Sequence, residues 1–349
     1  TPCPPLPLVD ETFENWEGER QNLMSRKISE LGLAIAGTRV EKMVDQLYSE
    51  LADQGLSFRP PVYLTDQWGC PDGTPVIGVP FYLADTRLER IEDDFADGIE
   101  SEKESMRFMR HEAGHAFNYA YRIYDRPDWR QTFGPYSRPY RERYKADPFS
   151  HDFVRHILGW YAQKHPDEDF AETFAVWLTP GLDWKAAYHG WPALNKLEYV
   201  DRVMTEIADE KIEVPALTDD DLPVDAMKYS LEDHYRGLAD SIPIRDSGIF
   251  DGDLRNIFAT SVESPDGQGA DEFLASHRRE IAGRISYWTG EGASSVRQFL
   301  DFLRARATKL ELRVRGLEAS TLVELTAFGT AVMMNYRNSR TVSSRTRKE

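Results

Sequence analysis

Long apolar runs are missing from this 349-residue chain. A membrane-crossing helix needs about 18 or more consecutive apolar residues, so no span and no membrane partner are expected. Cysteine is scarce, with only Cys3 and Cys70 present. Two thiols cannot build a zinc ribbon, and a chain of this length does not depend on one disulfide, so two free thiols in a reducing compartment are expected. Positive charge is also short: 42 Lys and Arg stand against 59 Asp and Glu, a net charge of −17. Phosphate backbones are repelled by that balance, and nucleic acid is not an expected partner. One stretch runs against it, "RNSRTVSSRTRKE" from Arg337, which reads as a basic, flexible, solvated tail over 337–349. The start, "TPCPPLPLVD", has neither the basic nor the apolar region of a signal peptide, so a cytoplasmic setting is expected, with a removed leader left open. No internal repeat is visible, and the oligomeric state is not legible.

What is present suits a folded protein: 41% apolar and 12% aromatic residues, enough to bury a core. "RVEKMVDQLYSELADQG" puts Val40, Met43, Val44, Leu47 and Leu51 on one helical face and stops at Gly55. "TPVIGVPFYLAD" mixes β-formers with Pro75, Gly78 and Pro80 and reads as an edge strand, because proline cannot donate to a ladder. Ser101 and Glu104 form a capping box that opens a helix from about Glu102 to Tyr124. A long Pro-, Arg- and Tyr-rich connection follows, then a helical pair around "HDFVRHILGWYAQ" and "EDFAETFAVWL". "VPALTDDDLPVD" has the composition of a linker. Beyond it, Val296, Phe299, Leu300, Leu303, Ala307, Leu310 and Val314 line one helix ending at Gly316, and Thr321 with Glu324 caps another through Tyr336. The expected division is 1–215, 216–336 as a helical domain or extension, and the tail.

The opening helix carries "MRHEAGHAFNYAY", in which His111 and His115 flank Glu112 as H-E-x-x-H. Residues i and i+4 share a helix face, so two imidazoles can point at one ion. Zinc suits neutral nitrogen ligands and accepts a carboxylate as a third, leaving a position for water. Glu112 sits where it can take that water's proton without binding the ion. Ala113, Gly114 and Ala116 are small and let another segment approach. A solvated helix face with a coincidental His pair is the plain alternative.

The third ligand decides the subclass. An H-E-x-x-H-x-x-G-x-x-H continuation is absent, since Asn118 and Tyr121 occupy the Gly and third His positions. A glutamate from a later helix is the other route, and "HPDEDFAETFAVWL" offers Glu168 and Glu172 on one face. Helical spacing lets either reach the ion; His165 and Asp169 are weaker rivals. "HEAGH" followed by "EDFAETFA" resembles the glutamate-ligand zincins, or gluzincins, and most of all a bacterial group of zinc-binding metallopeptidases. More distantly it is similar to the ImmA/IrrE-type peptidases and the catalytic domain of anthrax lethal factor. This resemblance spans about Val40 to Leu178 loosely and two short motifs tightly. It implies one Zn2+ per chain held by His111, His115 and Glu168, with Glu172 steadying a ligand histidine. It also implies an α+β, zincin-like catalytic domain, a small mixed sheet with an edge strand plus active-site helices, ahead of the mainly α-helical C-terminal region.

Attack of water on a carbonyl builds negative charge on oxygen, which needs a donor. Tyr161, seven residues before Glu168, is the choice, matching a similarly placed tyrosine in lethal factor; a packing role beside Trp160 is the alternative, and His156 is a second candidate. His151, His189 and His234 read as surface or packing residues, and His277 falls in step with Phe273, Ile281 and Ile285 as a core histidine. In zincins a strand ahead of the active-site helix pairs with extended substrate, so "PVIGVPFYLAD" could add a peptide as a further strand. The function expected is therefore a zinc metallopeptidase acting on a peptide or protein. A zinc hydrolase of a non-peptide amide or ester, or a zinc-binding regulatory protein without catalysis, are the alternatives.

Overall fold

The computed structural model describes residues 13–96, 99–140, 144, 146–157, 159–212, 214, 217–218, 221–238, 248–291 and 293–343. In chain order the elements are α1 (Phe13–Ser25), α2 (Arg39–Asp53), β1 (Val62–Thr65), β2 (Ile77–Pro80), α3 (Thr86–Ala96), α4 (Glu102–Ala120), α5 (Pro127–Phe133) and α6 (Pro166–Leu178). They continue as α7 (Trp184–Ala187), α8 (Ala193–Ile207), α9 (Leu231–Leu238), α10 (Asp251–Ile257), β3 (Ala259–Thr260), α11 (Ala270–Thr289), α12 (Ala293–Lys309), β4 (Leu312–Arg313) and α13 (Glu318–Ser343). Helices dominate, with a parallel pair β1–β2 and a separate antiparallel pair β3–β4. No helix among the described residues is long and apolar enough to cross a membrane. The chain divides into two compact units, residues 1–121 with 208–240, and residues 122–207 with 241–349.

The first unit is built around α2 and α4. Thr38 caps α2 by accepting from the Val40 N–H, and Val40, Met43, Leu47 and Leu51 are buried as the helical spacing predicts. The Ser101–Glu104 capping box is present in both directions, at 2.9 and 3.3 Å, so the N–H groups of Ser101 and Glu104 at the helix start both find acceptors. α4 packs on α2 and β2. Arg110 joins α4 to α2 through two 2.7 Å bonds to Glu50, both side chains buried. The linker-like segment belongs to this unit. The Tyr63 hydroxyl and Thr65 Oγ1 donate to the carbonyls of Asp221 and Leu222, and the Ile28 and Ser29 N–H groups donate to Tyr229 and Met227.

Several expectations need correction here. Only Ile77–Pro80 of "TPVIGVPFYLAD" is a strand; Phe81–Ala84 winds into a 3-10 turn. Nor is that strand an open edge. All four residues are buried, one side pairs with β1 in the register Val62↔Ile77, and on the other Gly78 exchanges two bonds with Gly69. A β-carbon at Gly78 would lie 2.7 Å from Thr65 Cγ2, so that close approach needs glycine. A peptide could add there only by displacing the Gly69 bridge. The motif helix stops at Ala120, short of Tyr124, with Arg122 left-handed at φ 49°. Cys70 Sγ donates to the Thr74 carbonyl at 3.3 Å; Cys3 lies outside the described residues.

The second unit has an aromatic cluster of Trp129, Phe133 and Phe170 where α5 meets α6, and an apolar core contributed by α10–α13, centred on Phe273, Ile285, Phe299 and Leu303. α13 crosses α11 closely at Gly329, where a β-carbon would fall 2.4 Å from Ile285 Cδ1. No α-helix forms among the described residues of "HDFVRHILGWYAQ", whose last three residues make a 3-10 turn, Tyr161–Gln163. Gly159 and Trp160 both take positive φ, 85° and 56°, which a right-handed helix cannot contain. α12 ends at Lys309, because Glu311 is left-handed and Leu312 turns into β4. α13 starts at Glu318, a turn before the expected Thr321 cap, and runs past Tyr336 to Ser343; side chains of the basic tail lie outside the described residues.

Candidate metal centre

α4 carries His111, Glu112 and His115, all three buried. The two imidazoles meet edge to face with centroids 4.8 Å apart and Nε2 atoms 3.1 Å apart. Burying two imidazoles and a carboxylate on one helix is unfavourable unless each is matched by a polar or ionic partner.

α6 begins at Pro166, which suits a first helical position, with His165 as its cap: His165 Nδ1 accepts from the Asp167 N–H at 3.1 Å. Every residue from Pro166 to Leu178 is buried. Three carboxylates, Asp167, Glu168 and Asp169, occupy the first turn, where the positive end of the helix dipole favours them. Their engagements differ. Asp169 receives the Lys196 ammonium at 2.7 Å; burial pushes its carboxyl up to about 7, while the ammonium pulls the other way. Glu168 Oε1 accepts from the Tyr140 phenol. Glu172 Oε2, one turn on, accepts from the Ile157 N–H at 2.8 Å.

His111, His115 and Glu168 form, among the described residues, the group that could hold a metal ion, one ligand atom of each lying within 4.8 Å of the others. The rivals have other work. His165 has both nitrogens engaged, the second reaching the Arg138 carbonyl at 2.7 Å, and Asp169 is paired with Lys196. Tyr161 stands half-buried in a 3-10 turn, Tyr161–Gln163, that is separate from α6, with the Lys164 ammonium 3.3 Å from its oxygen. His156 is buried.

The remaining histidines are accounted for by packing. His151 stacks on Trp191 at 4.1 Å and His189 is exposed. His234 lies between Phe81 and Tyr229, and burial holds its pKa below the usual value. His277 is half-buried, not in the core: it stacks on Phe273 and reaches Glu318 at 3.1 Å. Tyr140 and Lys196 were not foreseen. Tyr140 gave a signal only in the unusual Tyr and Arg content of its segment, and Lys196 gave none.

No curated protein and no solved structure matches the chain. Residues 99–188, which contain α4, α6 and everything between them, match the model of a family described as "Putative zinc-binding metallo-peptidase".

Proposed function

We propose that the protein is a zinc metallopeptidase in which His111, His115 and Glu168 hold the ion and Glu112 is the general base. Support comes first from the donor set. Two nitrogens bound at about 2.0–2.1 Å in a tetrahedral arrangement stand about 3.4 Å apart, and the Nε2 atoms of His111 and His115 are 3.1 Å apart. Two imidazoles with one carboxylate is the ligand set of a catalytic site that keeps a place for water, whereas structural zinc sites close with four protein ligands, mostly thiolates.

Zinc bound there would supply Lewis acidity toward a carbonyl oxygen and acidify a water molecule. The Glu112 carboxylate takes a proton from the attacking water as its oxygen bonds to the carbonyl carbon, and returns it to the amine as the C–N bond breaks. Tyr161 is the proposed donor to the developing oxyanion; its oxygen accepts from the Lys164 ammonium, which leaves the O–H to donate. Glu172 is proposed to steady a ligand histidine. A zincin-like catalytic part over 1–215, a helical part over 216–336 and a cytoplasmic setting belong to the same proposal, with peptide or protein as substrate.

The observation that carries it is the convergence of His111, His115 and Glu168 beside a buried Glu112. Glu112→Gln removes the base and no ligand. Metal analysis is expected to find about one zinc per chain in wild type and variant alike, with peptide hydrolysis in the variant down about 10²–10⁴-fold. A variant with wild-type turnover overturns the mechanism, and a wild-type chain that takes up no zinc overturns the site.

A further inference from the structure

Glu168 is buried, and a carboxylate in that position needs its orientation fixed before it can serve as a ligand. A bond to it comes from Tyr140, twenty-eight residues earlier in the connection between α5 and α6. The Tyr140 ring is 50% exposed, so its hydroxyl reaches inward from the surface.

A side chain on an irregular segment keeps such a bond only where the segment is tied down. The tie is His165. Its Nδ1 accepts the Asp167 N–H that caps α6, so the proton of the neutral ring sits on Nε2 and is donated to the Arg138 carbonyl at 2.7 Å. The Tyr140 ring packs on the same imidazole, centroids 5.3 Å apart, and the Lys164 ammonium lies 4.5 Å from the Tyr140 ring centre. Tyr136 adds a further contact with His165, at 6.0 Å. One imidazole thus joins the start of α6 to the segment that delivers a phenol to Glu168, three residues further along the helix.

We propose, building on the zinc site above, that Tyr140 is a positioning residue for Glu168 and that His165 is the clamp that keeps it there. The phenol fixes the carboxylate's orientation through one oxygen while lone pairs remain for a metal. Tyr161, the proposed oxyanion donor, is not assigned this task.

The test is a zinc titration of the full chain against a competing chelator. Tyr140→Phe removes only a hydroxyl from a half-exposed ring and is expected to weaken zinc binding about ten- to a hundredfold, the usual range for a partner that orients a metal ligand. Tyr161→Phe is expected to leave zinc affinity unchanged. His165→Asn keeps a good helix cap but is too short to reach Arg138; it is expected to weaken zinc in the same direction, and to add little in a double variant with Tyr140→Phe, because both act by one route. The zinc-free Tyr140→Phe chain is expected to melt a little earlier, because a buried carboxylate loses a donor, so zinc affinity is the deciding readout. Wild-type zinc affinity in Tyr140→Phe, beside a Glu168→Ala variant that has lost it, overturns the clamp and leaves the metal centre standing. A wild-type chain that binds no zinc overturns the metal centre and the clamp together.

Discussion

α4 and α6 bury ionisable groups; α11 and α12 bury hydrocarbon. Among the buried residues of α4 are Arg110, His111, Glu112 and His115, and α6 adds Asp167, Glu168, Asp169 and Glu172. The core formed by α10–α13 is Phe, Leu, Ile, Val, Ala and Met throughout, with Arg278 the charged side chain buried in α11. A buried charge costs several kcal/mol unless it is paired, whereas a buried Phe stabilises by about 1.5–3 kcal/mol. For stability alone, α4 and α6 are poor helices and α11 and α12 good ones. The difference separates helices that bury polar and ionisable groups from helices that bury hydrocarbon, and it singles out the motif helices without reference to any motif.

The sharpest way to break that contrast lies on α6. Glu168→Ala is expected to lower zinc affinity by orders of magnitude, as two imidazoles alone remain from the chain. Glu172→Ala, which frees the Ile157 N–H, is expected to cost about ten- to a hundredfold. Isothermal titration ranks the two, and Glu172→Ala proving the more damaging would exchange their roles.

Next in size is the ion pair behind the motif. Arg110→Ala leaves the buried Glu50 carboxylate with the Gln46 amide at 2.9 Å but no counter-charge from Arg110 and is expected to cost about 3–5 kcal/mol, while Arg110→Met with Glu50→Leu is expected to be nearly neutral. Phe299→Ala in the apolar core is expected to cost a similar amount, about 3–5 kcal/mol, with no second change at a partner that restores it. Chemical denaturation of the four chains decides this, and a double variant no better than Arg110→Ala would show that the pair stabilises outright.

The smallest effect concerns pH. Burial holds the pKa of folded His234 below its unfolded 6.5. Below about 6.5 the unfolded chain therefore binds the proton that the folded chain refuses, and stability falls as pH falls from there to the folded pKa. His234→Phe is expected to flatten that part of the stability curve, measured as unfolding midpoints between pH 7 and 5; an unchanged slope would place the proton uptake elsewhere.

Local rules made much of this legible. The α2 face, the capping box of α4 and the shared face of His111 and His115 depend on neighbours within one or two turns, and helical spacing contains them. Glu168 and Glu172 could not be ordered that way, because the period that puts both on one face cannot say which partner each meets. The supposed helix around Gly159 failed for a tertiary reason. A β-carbon at Gly159 would lie 3.2 Å from the Gly290 Cα, so a segment 131 residues away fixes the backbone there. His165 could be read only as a weaker rival ligand, because its bond to the Arg138 carbonyl joins residues 27 apart, beyond any local pattern.

The bonds from Ile28 to Tyr229 and from Ser29 to Met227 have a consequence during synthesis. The first unit closes on itself only after about 200 further residues have been made, and at roughly 5–20 residues per second the ribosome takes about 10–40 s over that interval. Until then Ile28 and the faces of β1 that meet Asp221 and Leu222 have no partner, and the cost of closing so large a loop falls on whatever has already folded between them. The histidine motif is itself complete while about 114 residues up to Tyr229 are still unmade, so it waits about 6–23 s before the surrounding unit can finish folding.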